Sequence, residues 1–81
     1  MKNNEFKLKH IMVANPVYVY VDSETKNFVS MTKFDSNKEN DVYICNAYNH
    51  GYDVSIVLNT PVGKSEITVP WIDVVDYTLQ V

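Results

Sequence analysis

The stretch Val17-Tyr18-Val19-Tyr20-Val21 sets three valines on one side of an extended chain and two tyrosines on the other. Alternation with a period of two is the pattern of a strand with one buried face. It extends back to Ile11, and Pro16 within it lacks a backbone donor, which suits an edge or a bulge rather than a central ladder. The connector Asp22–Asn27 is rich in turn formers and of hairpin length. Phe28–Phe34 then reads as the return strand.

Outward from this hairpin the same rhythm continues. Asp35–Asn40 is a polar loop with no apolar anchor, expected to be exposed and mobile. A third strand is expected over Asp41–Tyr48 and ends at Asn49-His50-Gly51, where glycine can take a positive φ. In Tyr52–Asn59, Val54, Ile56 and Leu58 share a face. Thr60–Ser65 reads as a hairpin loop leading to a strand at Glu66–Val69. Pro70-Trp71-Ile72-Asp73 breaks the pattern as a tight helical turn, and a closing strand follows from Val74. In that last segment Tyr77, Leu79 and Val81 oppose Asp76, Thr78 and Gln80. No segment shows apolar residues at three-and-four spacing over three turns, and at Asn4–His10, the weak helix candidate, Phe6 and Leu8 fit a strand equally well.

The expected architecture is therefore all-β: one domain over residues 1–81, with five or six antiparallel strands. A small barrel or two-sheet sandwich is the economical way to bury one face and limit open edges. The strand, proline turn and strand at the end of the chain resemble the last part of an SH3-like or Sm-like barrel. That likeness concerns fold and implies no function.

Composition narrows the function classes. Ten Asp and Glu face seven Lys, with no Arg and a formal charge of −3. Arg is the usual residue for bidentate guanine and phosphate contacts, so specific duplex-DNA readout is disfavoured. The charge is also too small for the molecule to imitate a DNA backbone. Nine Asn, with Lys but no Arg, point to an AT-rich coding sequence of the kind found in some bacteria and phages. No apolar run approaches the ~18 residues that cross a bilayer, and the polar N-terminal stretch lacks the features of a secretory signal. Cys45 is the one cysteine, so no intrachain disulfide forms. A reducing, cytoplasmic location is the expectation.

No catalytic or metal-binding pattern emerges. His10, His50 and Cys45 lack metal-ligand spacing. Cys45 lies in a strand, where a structural thiol is expected. Gly63-Lys64-Ser65 copies only the tail of a phosphate loop, without its upstream glycine or following helix. The carboxylates fall in loops or on polar strand faces, where nothing desolvates them. No enzyme, metal or cofactor is implied.

The aromatic residues carry the remaining signal, since tyrosine and tryptophan bring large contact area at low entropic cost. Tyr18, Tyr20, Tyr43 and Trp71, with the acidic residues Asp35, Glu39 and Asp41, are the candidate partner-binding residues. The leading expectation is a non-enzymatic protein-binding module. Its partner would be another protein or a second copy of itself, and a phage or mobile-element product that inhibits or tethers a host protein fits the size. The alternative is a barrel for single-stranded nucleic acid, with tyrosines stacking bases and Lys2, Lys7, Lys9, Lys26 and Lys33 along the backbone.

Overall fold

The computed structural model describes residues 4–22 and 24–81. Seven strands run in chain order: β1 (Glu5–Phe6), β2 (Leu8–Asp22), β3 (Asn27–Asp35), β4 (Tyr43–Asn49), β5 (Asp53–Thr60), β6 (Gly63–Pro70) and β7 (Val74–Leu79). A 3₁₀ turn, Trp71–Asp73, separates β6 from β7, where proline ends the ladder. The described residues contain no helix long and apolar enough to cross a membrane.

The strands form two antiparallel sheets, one in the order β1-β4-β5-β6 and the other β3-β2-β7. The barrel expected from the sequence is not closed. Among the described residues β1 and β7 are terminal strands of different sheets, and no ladder joins them. β1 is only two residues long and, among the described residues, pairs with β4 alone, which leaves its other edge without a ladder. The 15-residue β2 advances from Met12 to Val17 while β3 moves only from Lys33 to Met31, so Val13–Pro16 bulges out and Pro16 need not donate to a ladder. Asn15 fastens the bulge to the 3₁₀ turn by donating from Nδ2 to Asp73 Oδ2 at 3.2 Å.

Both sheets contribute to one apolar cluster. Leu8, Ile11, Val13 and Val19 of β2 and Phe34 of β3 meet Ile44 and Ala47 of β4, Val54, Ile56 and Leu58 of β5, and Val69 of β6. Val17 and Val21 pack against its margin, so the valine side of the founding stretch faces inward. Strand β5 is flanked on both edges and is the most deeply buried, with Val54, Ile56 and Leu58 fully inaccessible. On its opposite side the buried Ser55 Oγ bridges His50 Nε2 at 2.8 Å and Thr68 Oγ1 at 3.0 Å. That chain of partners lets a polar side chain lie inside the sheet without an unmet bond.

Two turns carry specific chemistry. Gly63 opens β6 with φ +118°, and a Cβ built there meets nothing within 4 Å. Gly63→Ala is therefore expected to cost about 1–3 kcal/mol through backbone strain alone, measurable as a lowered midpoint in urea with an unchanged slope. In the β2–β3 turn, a side-chain hydrogen bond from Thr25, together with backbone donors of Thr25 and Glu24, holds the Asp22 carboxyl below the usual carboxylate range. Both backbone N–H groups reach Asp22 Oδ1, at 3.2 and 2.9 Å. Because the folded-state value is depressed, the associated stability is present above the unfolded-state pKa and is lost as pH falls through the folded-state one. Asp22→Asn should flatten this acid-side loss, seen by comparing urea midpoints of the two proteins between neutral and acidic pH.

The loop after β3 is exposed from Asn37 to Asn40, as its polar composition implied, and carries a local set of side-chain hydrogen bonds. Asp35 Oδ1 accepts from the Asn37 N–H and from Asn40 Nδ2, each at 2.9 Å, and Asn37 Oδ1 accepts from the Glu39 N–H at 3.0 Å. Val42, only 8% exposed, ties the end of the loop to the core. Polar side chains here hold the backbone locally, as Asx-turns do.

Candidate functional site

The interrupted closure leaves a cleft between the two terminal strands. Its cavity, ≈ 590 Å³, is lined by Asn4, Glu5 and Phe6 on one side and Trp71, Tyr77 and Leu79 on the other, with Asn49 at its base. The cross-strand register explains why these side chains gather. Ile11 pairs with Tyr77 and Leu8 with Leu79, and directly opposed antiparallel residues project to the same face. Ile11 and Leu8 are buried, so Tyr77 and Leu79 also point inward. Yet they remain 49% and 52% exposed: the strand of the other sheet that faces them across the cleft, β1, is two residues long and forms no ladder with β7 among the described residues.

An aromatic series lines the cleft. The Phe6 and Trp71 rings stack with centroids 6.3 Å apart, and Trp71 meets Tyr77 at 5.3 Å in a tilted arrangement. Such spacings are those of favourable ring pairs. The indole is held from both ends. Its Nε1–H donates to Asn49 Oδ1 at 2.9 Å, and the Trp71 backbone N–H donates to the Tyr52 carbonyl at 2.8 Å. Asn49 is fixed in turn by its N–H to the Asn4 carbonyl and by the Gly51 N–H on its own Oδ1. The Gln80 N–H donates to the Lys7 carbonyl at 3.1 Å, which carries the β2–β7 pairing one residue beyond Leu8 and Leu79.

The candidate residues from the sequence fall in separate places. Trp71 alone lies in the cleft. Tyr18 and Tyr20 occupy the outer side of the β2–β3 pair. Tyr18 is 69% exposed opposite Ser30, and Tyr20 is half-buried against Phe28, with ring centroids 4.8 Å apart. Tyr43 opens β4 opposite Asn59 in the other sheet, so the three tyrosines do not form one surface. Asp35 and Asp41 line a second hollow with Val29, Met31 and Pro61, while Glu39 is exposed on the loop. The Asp35 carboxylate is already engaged by its own loop, which leaves it less to offer a partner.

Phe6, Tyr77 and Leu79 were not singled out by sequence reasoning. Their alternation marks them as inward-facing, and inward-facing residues are ordinarily covered. Only the pairing order reveals that these are not. Cys45 also departs from the expected core thiol. It is half-buried at the β4 bulge between Ile44 and Asn46, 3.7 Å from Lys64 Nζ. Ser55, although hydrogen-bonded to a histidine, is 2% exposed and so does not present its hydroxyl to a substrate. Among the described residues no group of three His, Cys, Asp or Glu side chains converges on a point. Comparison of the chain with protein-family models, curated proteins and solved structures finds no significant match.

Proposed function

We propose that this protein is a non-enzymatic recognition module that takes an extended segment of a partner protein into the Phe6–Trp71–Tyr77–Leu79 cleft. One observation carries the reading: inward-pointing apolar side chains of a terminal strand stand half-exposed beside an edge that no described strand pairs. Strand addition supplies both missing interactions at once. Main-chain hydrogen bonds to β7 satisfy its open edge, and alternate side chains of the incoming segment cover Tyr77, Leu79 and the indole. In this reading the two sheets are a sandwich left open on one side, and the guest strand completes it. The indole is immobilised by Asn49 before binding, so little of its freedom is lost on capture.

Selection of linear peptides displayed at random against the folded protein tests the reading. Enriched sequences should alternate apolar and polar residues, and a synthetic copy should shift the backbone resonances of β7 and change Trp71 fluorescence. Shifts confined to the Tyr18–Tyr20 face would move the site to the outer sheet surface. Binding of a labelled single-stranded oligonucleotide in the cleft, lost on adding salt, would favour the nucleic-acid alternative instead.

A further inference from the structure

A second concavity lies away from the aromatic cleft and has the opposite chemistry. Lys7 between β1 and β2, Lys38 in the loop after β3, and Lys64 in β6 line a notch of ≈ 370 Å³. Three of the chain's seven lysines are thus in its lining, in a molecule whose formal charge is −3. No carboxylate is among the described residues that line it. Three positive side chains with no carboxylate among them give this rim a local positive potential, which favours an anion.

We propose that this notch binds a small phosphate-bearing ligand. A dianion matches a rim of three cations better than a single carboxylate does. Lysine serves as a point charge with rotatable donors, a common way of holding phosphate. Neutral donors complete the set. Tyr43 is in the lining, and Ser36 Oγ accepts from Gln80 Nε2 at 2.9 Å, which leaves the serine proton free to point at an anion. Lys64 is steadied at the wall by its 3.7 Å contact with Cys45 Sγ. The volume falls within the range of about 300–1,000 Å³ typical of small-molecule sites and is too small for a macromolecular surface. Cys45 at the wall then acts as a built-in reporter of occupancy.

The probes are inorganic phosphate and pyrophosphate, titrated into the ¹⁵N-labelled protein at constant ionic strength set with sodium chloride. Saturable shifts are expected at residues 36–38, 43–45 and 64, tighter for pyrophosphate. Lys64→Gln should weaken binding by about fivefold and Lys38→Gln/Lys64→Gln by more, in keeping with the loss of charge-assisted hydrogen bonds. All three lysines are on the surface, and preserved resonance dispersion in the variants will verify that they fold. Saturating pyrophosphate should also slow alkylation of Cys45 by iodoacetamide. Linear shifts reproduced by chloride, saturable shifts elsewhere, or undiminished binding in the double variant would each overturn the assignment. Because neither probe nor variant touches the aromatic cleft, failure here leaves the peptide-recognition reading intact, and the converse also holds.

Discussion

Ile56→Ala is expected to lower the unfolding free energy by about 2–5 kcal/mol, the range seen when a large aliphatic side chain is removed from a packed core. Ile56 is fully buried in β5, opposite Ala47 on one flank and Ile67 on the other. The cavity therefore opens over three hydrogen-bonded strands, whose backbones cannot close in without breaking register, and the cost should fall toward the upper end of that range. Small domains have little stability to spare, since only roughly 60–65% of the unfolded surface is buried at this size. Total stability for a domain of this kind is of order 5–10 kcal/mol, so the variant should be partly unfolded at mildly elevated temperature. Urea titration followed by tryptophan fluorescence measures the change directly. A loss below about 1 kcal/mol would mean that Ile56 is not at the centre of the core.

The second large effect is on recognition. Trp71→Ala should weaken a cleft-binding peptide by at least about 30-fold, corresponding to the loss of roughly 2 kcal/mol typical of an aromatic hot spot. Trp71 also packs against the core cluster, so part of any effect in this variant is structural. Leu79→Ser separates the two contributions. Its side chain is 52% exposed and adds little to folding, so the stability change should stay within about 1 kcal/mol. Peptide affinity should nevertheless fall by about tenfold. Isothermal titration of each variant with the selected peptide, beside its urea curve, distinguishes lost contact from lost fold. Unaltered affinity in both variants would remove the cleft as the binding surface.

How much of this was legible from the chain varies by element. The alternation of Val17, Val19 and Val21 identified β2 and its inner side, and Val54, Ile56 and Leu58 did the same for β5, because side-chain direction along a strand is a local property. Pro70 marked the 3₁₀ turn for an equally local reason, its missing donor. Pairing order is not local. Nothing in the residues around Tyr77 and Leu79 states that the strand facing them is the two-residue β1, so an apolar alternation that normally signals a covered face here borders an open cleft. The same limit scattered the tyrosines: Tyr43 resembles Tyr18 and Tyr20 in its strand context but belongs to the other sheet. In the Asp35–Asn40 loop the polar composition was plain, whereas the mutual capping of Asp35, Asn37 and Asn40 depends on a turn geometry that several sequences would satisfy.

Openness along β7 is the feature on which recognition rests, and amide hydrogen exchange measured residue by residue tests it most directly. Strand β5, bonded on both edges, should exchange slowest of all, through global unfolding. In β7 the amides directed at β2 should be protected, while those directed away exchange orders of magnitude faster, giving an alternating record. Uniformly slow exchange along β7 would mean that its outer edge is already paired, and no guest strand could then add there.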